Sequence, residues 1–316
     1  MFDIITLGSA TIDSFVNTEN KLFTHHKNKN TIPFGSKINI NSLHTCSGGG
    51  GTNTAVAFSR LGLKTAFLGV IGNDHNGEGI ITELKKEHVQ THLIQRTDQP
   101  TGQSIILESN NHDRIILAHK GCNNNLTITQ KTLKSLQTKA IYSSALLEES
   151  FTSFLNIINY ATQHNIPITF NPSAYQIRAY RRQIIDILPK ITTLIFNREE
   201  ANLLLGKKSI TSHLHNIYKK GVSHIAITNG KSGAYIYANG NMFHCIAPDV
   251  HIIETTGAGD AFASGFTAGL IKTKDAQQAA SIGMTNATSV IQYYGAKKEL
   301  LRWNEATKKK VKIRDL

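Results

Sequence analysis

The stretch ETTGAGDAFASGF, residues 254–266, places three residues with little or no side chain before a carboxylate. Gly257, Ala258 and Gly259 lead into Asp260, and a run of small and apolar residues follows. A loop of small residues that opens a helix leaves backbone N–H groups at the helix N-terminus, where the helix dipole adds partial positive charge. Glycine lets that backbone come close to an anion such as phosphate. An acid beside a phosphate cradle repels the phosphate unless it has work of its own. The work it can do is to take the proton of a hydroxyl that attacks phosphorus. Taken alone, the spacing is equally that of a tight turn capped by Asp260 ahead of a closely packed helix.

A second glycine cluster, GGGGTNTA at 48–55, also precedes a helical pattern, with Asn53 at its start. Four glycines in a row cost conformational entropy on folding. They suggest close approach of a polar ligand, with Asn53 and the backbone bonding to hydroxyls; a flexible loop is the alternative. Asp13 follows the first strand by a few residues, at what is the ligand-binding carboxyl edge of a parallel sheet. A carboxylate there can hold two sugar hydroxyls, although by itself it reads as a surface Asp. Other nucleotide motifs are missing. A P-loop ending in Gly230-Lys231-Ser232 would need glycine at Ile225, and no G-x-G-x-x-G follows the first strand.

These residues need elements to hold them. FDIITLG (2–8) reads as a buried strand, NTAVAFSRLGL (53–63) as a helix stopped at Gly62, KTAFLGVIG as a strand and GEGIITELKKEHV as a helix. Strand and helix in alternation predict a parallel sheet. TGQSIILES and RIILAHKG, joined by the polar NNHD, read instead as a β-hairpin. With the strand-like segment 13–45, residues 91–120 are expected to form a small β-sheet outside the main layer. After residue 126 the alternation resumes: helix 129–137, strand 139–144, helix 150–163, strand 166–170, and strands at 192–197 and 224–230. A hairpin turning at Asn239-Gly240 and helices from Ala261 and Ala276 complete the pattern. The expectation is one α/β domain over residues 1–316, with a small β appendage.

The composition fits. Apolar residues make up 40% of the 316 residues and proline is scarce at 6, a globular balance. No run approaches the ~20 apolar residues that span a bilayer, and the N-terminus has no signal-peptide pattern. Cys46, Cys122 and Cys245 are far apart and odd in number, which suggests reduced thiols in a cytoplasm. The 14 histidines, His25, His26, His213 and His215 among them, show no metal-ligand spacing. The formal net charge is +12, and residues 297–316 carry eight Lys or Arg against three acids. That segment is expected to be a solvated helix and tail; contact with a polyanion is the alternative.

Together these motifs resemble the ribokinase-like (pfkB) carbohydrate kinases, from about residue 2 to about 301. GGGGTNTAVAFSRLG, followed by LGVIGNDHNGEGI, looks like the family's N-terminal signature, and ETTGAGDAFASGF like its C-terminal one. Between them FNREEANLLLG carries an Asn-x-x-Glu at Asn197 and Glu200, and TNGKSG a Thr-x-Gly-x-x-Gly at Thr228, Gly230 and Gly233. The resemblance implies a central, mainly parallel sheet flanked by helices, with a small β-lid. It implies Asp260 as catalytic base, with the N–H groups of Gly257, Ala258 and Gly259 as an anion hole. Asn197 and Glu200 would organise phosphate and Mg²⁺. Thr228, Gly230 and Gly233 would lie along the nucleotide, with Asn286 toward adenine. Asp13, Gly49, Gly50 and Asn53 would hold the acceptor under a lid that includes 101–120, and HKGCN (119–123) stands where the family often has Gly-Ala-Asn.

There are departures. Gly50 stands where family ribokinases usually have Lys, as in some sugar-phosphate kinases of the family. Glu254 stands where Asp is usual, which leaves activation by K⁺ open. The tail from 302 has no counterpart. The expectation is a cytoplasmic kinase dependent on ATP and Mg²⁺ that phosphorylates a primary hydroxyl. Ribose-like sugars come first, nucleosides second and sugar phosphates third, with ADP as donor left open and lid-to-lid homodimers common in such proteins. The alternative is a catalytically silent sugar- or polyanion-binding protein. Intact Asp260 and Glu200 argue against silence. Nucleic acid is disfavoured because Trp303 is the only aromatic in the basic tail, and no membrane partner is expected.

Overall fold

The computed structural model describes residues 1–17, 24–26, 29–31, 35, 37, 39–108 and 114–316. The first half of the chain supplies strands β1 (Ile4–Leu7), β2 (Thr11–Asn17), β3 (Thr24–His26), β4 (Lys29–Thr31), β5 (Ser42–Gly48), β6 (Thr65–Leu68), β7 (Val70–Gly72), β8 (Gln95–Thr97), β9 (Gly102–Glu108) and β10 (Arg114–His119). The second half supplies β11 (Ile141–Ser143), β12 (Ile168–Phe170), β13 (Thr193–Asn197), β14 (His224–Thr228), β15 (Ala234–Ala238), β16 (Asn241–Cys245) and β17 (Ile313–Asp315). The helices are α1 (Gly50–Arg60), α2 (His75–Lys86), α3 (Gln130–Ser135), α4 (Glu148–Gln163), α5 (Ala174–Ile187), α6 (Arg198–Leu205), α7 (Ile210–Tyr218), α8 (Ala258–Thr273), α9 (Ala276–Val290) and α10 (Trp303–Ala306).

The main sheet has strand order β17-β16-β15-β14-β13-β12-β11-β1-β6. From β6 to β14 the pairing is parallel; β15, β16 and β17 extend it antiparallel. Successive side chains on a strand point to opposite faces, so each strand feeds two cores. Ile4, Phe67, Tyr142, Ile195 and Ala226 pack with α1, α2, α8 and α9 on one face. Ile5, Leu68, Ile141, Leu194 and Ile225 pack with α4, α5, α6 and α7 on the other. A strand buried on both sides reads as an unbroken apolar run, which is why FDIITLG and TTLIFN show no alternation. Helices α8 and α9 approach closely because Gly265 faces the Gly283 backbone.

A second sheet, in order β10-β9-β2-β5, stands apart from the first. It is built from the two segments expected to form the appendage. The polar turn at 109–113 lies outside the described residues. Gln95–Thr97 pairs with β7 rather than with this sheet, and among the described residues β3 and β4 pair only with each other. The turn between β15 and β16 is at Asn239 and Gly240, both at positive φ (52° and 85°), as a two-residue hairpin of this kind requires.

The tail corrects the expectation of a solvated helix. Only the four residues of α10 are helical; β17 then adds to β16 as the edge strand. Trp303 sits under Lys272, whose Nζ is 4.0 Å from the ring centroid, and Ala306 is fully buried. Isoleucine and arginine at 313 and 314 favour an extended edge once β16 offers a ladder, and residues 308–310 are exposed. The three cysteines are free. Burial pushes the thiols of Cys46 and Cys122 up to about 11 and that of Cys245 to about 12, so none is a ready nucleophile. Among the described residues no cluster of His, Cys, Asp and Glu could hold a metal by itself.

Candidate active site

A parallel sheet presents the carboxyl ends of its strands at one edge. Here Ser9 follows β1, Ser144 follows β11, Asn171 follows β12, Asn197 ends β13 and Thr228 ends β14. All five line one cavity of about 270 Å³, together with Gly50, Glu200, Gly259 and Asp260. A second cavity, of about 560 Å³, is lined by Thr228, Gly230, Gly233, Thr255, Ala258, Gly259, Phe262 and Met284 among others. Thr228 and Gly259 belong to both, so the first turn of α8 forms the wall where the two compartments meet.

Gly257 is the N-cap of α8, with φ 83° in the left-handed region; a Cβ there would also run into Ala296. The first N–H groups of a helix have no acceptor within the helix. That of Ala258 is turned to the Thr255 carbonyl at 3.2 Å, so not all three expected donors face the cavity. Gly259 is exposed at the shared wall. Glu254 stiffens the preceding turn: its Oε1 accepts from the backbone N–H and the hydroxyl of Thr256, both at 2.7 Å.

Asp260 lies on the cavity wall one residue on. Asn53 Nδ2 donates to its Oδ2 at 2.8 Å. Burial pushes the Asp260 carboxyl above the usual carboxylate range and the charge of Asp13 adds to this, against the Asn53 bond and the Lys297 charge. Asp13 is 8% exposed. Burial raises its carboxyl too, opposed by hydrogen bonds from Thr11 and Ser104 and by the charges of Lys297 and Lys120. Asn53 is buried, and its Oδ1 finds no partner. A buried acceptor left unpaired costs free energy, so this atom is open to a donor.

The glycine run has a different cause from the one expected. A Cβ at Gly48 would strike the Asp13 carboxylate; at Gly49 (φ 94°), the Ser9 carbonyl; at Gly51, Phe67 and Gly8. A Cβ at Gly50 would come within 2.8 Å of the Ser144 side chain, so the protein's own packing bears on all four. The first-turn donors of α1 are used internally as well, Gly51 N and Thr52 N both donating to the Ser9 carbonyl at 3.0 and 3.3 Å. Gly50 alone faces the cavity, toward Ser144 and Asp260.

Asn197 and Glu200 form a reciprocal cap of α6: Glu200 N donates to Asn197 Oδ1 at 2.9 Å and Asn197 N to Glu200 Oε2 at 2.8 Å. Burial pushes the Glu200 carboxyl up to about 7. Asn286 departs from its expected place near a nucleotide base. It is fully buried, its Nδ2 donating to Ala261 O and its Oδ1 accepting from Leu301 N, each at 3.0 Å. Both amide atoms are committed to packing, and Met284, Ala287 and Thr288 of the same helix line the larger cavity instead. Ser144 and Asn171 were not singled out from sequence. Their signal was their position just past a strand of the parallel sheet. Asn123, which closes the HKGCN stretch noted in the sequence, bonds the backbone of Ala10 through its amide in both directions, at 2.7 and 2.9 Å, fixing the second sheet to the end of β1.

The chain matches the model of the "pfkB family carbohydrate kinase" over residues 1–302. It is 27% identical to a ribokinase of Bacillus subtilis over 310 residues, covering 96% of this chain and 98% of the relative. A solved Arabidopsis thaliana ribokinase complexed with ribose and ATP superposes with a TM-score of 0.81 at 19% identity, covering 97% of this chain and 98% of that one. A nucleoside kinase of Methanocaldococcus jannaschii gives 0.78 at 22%, covering 97% of each chain. At these identities the structures speak to the fold alone, while the family match spans nearly the whole chain: the protein belongs to the pfkB family of carbohydrate kinases.

Proposed function

We propose that this kinase transfers the terminal phosphoryl group of ATP to a primary hydroxyl of a ribose-like sugar, with Asp260 as base. The observation that carries the reading is the line Asp13, Asn53, Asp260, Gly259: two carboxylates raised by burial, one unpaired amide oxygen and a helix N-terminus where two cavities meet. Asp13 and Asn53 hold acceptor hydroxyls. Asn53 also orients Asp260 through the 2.8 Å bond. Asp260 takes the proton as the hydroxyl attacks, and its raised affinity for a proton suits a base. The first turn of α8 stabilises the charge that develops on the transferring group. The nucleotide occupies the larger cavity along Thr228, Gly230 and Gly233.

Mg²⁺, when bound, would supply neutralisation of the charge on the phosphates. The residues fit that ion in one respect: Glu200 is a single carboxylate at the cavity edge, and Mg²⁺ held mainly by phosphate and water needs little more. Glu200, oriented by its cap with Asn197, would hold it through water.

Assaying a panel of pentoses, hexoses, sugar phosphates and nucleosides, each with ATP and with ADP, tests the reading. Turnover confined to nucleosides or sugar phosphates would replace the acceptor named here, and no turnover with any would leave a binding protein. Gly259→Val gives a second test. No heavy atom lies within 4 Å of where its Cβ would stand, so the variant should fold, yet the side chain would project where phosphate must come. A fall in kcat of about 10²–10³-fold is expected, the scale of losing one oxyanion donor. A folded variant with normal kcat would make the turn purely structural.

The second sheet acts in this reading as a lid. Its inner face carries Asp13, and buried Phe15 and Ile106; its outer face leaves Leu43, Ile105, Ile115 and Leu117 at 40–56% exposed. Such a patch marks an interaction surface, and a second copy's lid is the occupant proposed. Leu117→Asp should then convert a dimer to a monomer in light scattering, whereas a wild-type protein already monomeric would remove the dimer.

A further inference from the structure

The segment between α9 and α10 touches both halves of the site, with its first residue, Ile291, on the wall of the larger cavity. At its start the Ile291 carbonyl accepts from Ile253 N and Glu254 N, at 2.9 and 3.2 Å, just before the phosphate-binding turn. Tyr294 then stacks on His44 of β5, ring centroids 5.7 Å apart. Gly295 lies against Cys46 of the same strand, and Ala296 packs on Gly257, the N-cap of α8. Lys297 comes next and is 6% exposed. Its Nζ donates to Ser47 Oγ at 2.6 Å and pairs with Glu83 Oε2 of α2 at 2.9 Å; the Ser47 hydroxyl also bonds to Glu83. Arg60 of α1 clamps the far end, its Nη1 donating to the carbonyls of Lys297 and Leu300 at 3.0 and 3.1 Å.

A lysine this deeply buried is rare unless it is paired. Tying a surface strap to a helix needs no buried ammonium; backbone bonds such as those to Arg60 would do. What the ammonium reaches is Ser47, which opposes Ile12 in the β2–β5 ladder, one position along from the Cys46–Asp13 pair. We propose that Lys297 is a positioning residue: it ties β5, the strand against Asp13, to the segment whose Ala296 backs the N-cap of α8, and so holds the acceptor groups and Asp260 in register. This rests on the reading of Asp13 and Asn53 as the acceptor site.

The titratable groups facing this ammonium are Glu83 on α2 and Glu87 just past its end, the neutral thiol of Cys46 on β5, Asp13 on β2 and Asp260 on α8. Arg60 on α1 and Lys120, beyond β10, are the nearby cations. Burial lowers the proton affinity of Lys297, and the Glu83 carboxylate offsets part of that. A cation here favours the ionised forms of Asp13 and Asp260, so removing it raises both carboxyls further. Asp260 acts when ionised, and the acid limb of kcat/KM would move to higher pH.

The test compares Lys297→Met, the double variant Glu83→Gln/Lys297→Met, Lys297→Arg and Asp13→Ala. The first readout is amide hydrogen exchange in the free protein, which needs no acceptor. Exchange about tenfold faster is expected at both 44–49 and 257–260 in the Met variants, with β13 unchanged. The second is the pH profile of kcat/KM with the fastest acceptor of the panel; its acid limb should rise in the Met variants and recover in Lys297→Arg. If Lys297→Met does not fold, the double variant, which leaves no uncompensated carboxylate, carries the test. Unchanged exchange at 257–260 or an unmoved acid limb in a folded variant overturns the proposal, whatever the melting temperature does. If Asp13→Ala keeps full kcat/KM for the acceptor, the acceptor reading has failed instead.

Discussion

Asp260→Asn should lower kcat by about 10²–10⁴-fold, the usual cost of losing a general base, with nucleotide affinity nearly unchanged. The substitution keeps the side-chain volume and one oxygen for the Asn53 amide, so the cavity wall should stand. It removes the lone pair that takes the proton. Stability is expected to move the other way. Burial raises the Asp260 carboxyl in the folded state, so the folded protein binds that proton more tightly than the unfolded chain does. The stability this contributes is present at low pH and is lost as pH rises through the raised value. At neutral pH the ionised group is a cost, and Asn removes it. The variant should therefore melt no lower than the wild type at pH 7 while turning over far more slowly. Steady-state kinetics beside a thermal melt checks both, and near wild-type turnover on the best acceptor would end the assignment. In the wild type, activity should fall on acidification with a midpoint above that of an ordinary carboxylate.

The second large effect is expected at Asp13. Asp13→Ala should reduce kcat/KM for the acceptor by about 10²-fold or more, since a site built for hydroxyls penalises an unpaired partner heavily. KM for ATP should hardly move, because Asp13 is not among the residues that line the Thr228–Gly233 cavity. Folding is not the concern. Asp13 fills the space beside Gly48, and Thr11 loses one hydrogen-bond acceptor at 3.0 Å, but the ladder on both sides of β2 is backbone. The same division of the site predicts that a saturating acceptor protects the amides of β9 and β10 from exchange as the lid closes. Equal losses for ATP and acceptor, or no protection of these strands, would break it.

Much of this was legible in the sequence, for physical reasons. The parallel strands are buried on both faces, so FDIITLG, TTLIFN and HIAIT stand out as apolar runs. Asn239-Gly240 announces its hairpin because both positions need positive φ. The start of α8 could be read because a Gly-Ala-Gly run before an acid breaks the preceding chain and opens a run of small and apolar residues. Other features were hidden because their cause is tertiary. Helix α5 carries charges along much of its length and bends at Tyr180 (φ −131°), which blurs its periodicity. The glycine run looked like a ligand cradle, yet three of its members answer to Ser9, Asp13 and Phe67, distant in sequence. Asn286 sits in a helix beside the larger cavity, and nothing local shows that it turns inward to Ala261 and Leu301. The tail looked like a solvated helix because a strand at a sheet edge needs only one apolar residue in its ladder.

That edge bears on how the protein behaves when concentrated. The outer side of β17 is the open margin of a nine-stranded sheet, and an open margin can template strands from other molecules. Here it is three residues long and flanked by exposed Lys308, Lys309, Lys310 and Lys312, with Arg314 within it. A second copy adding to it would bring its own five cations to a strand spacing of about 4.8 Å. That is well inside the screening length of about 8 Å at physiological salt, so the like charges still repel. The positive surplus in this part of the chain thus serves colloidal stability, keeping one molecule's sheet from growing into the next.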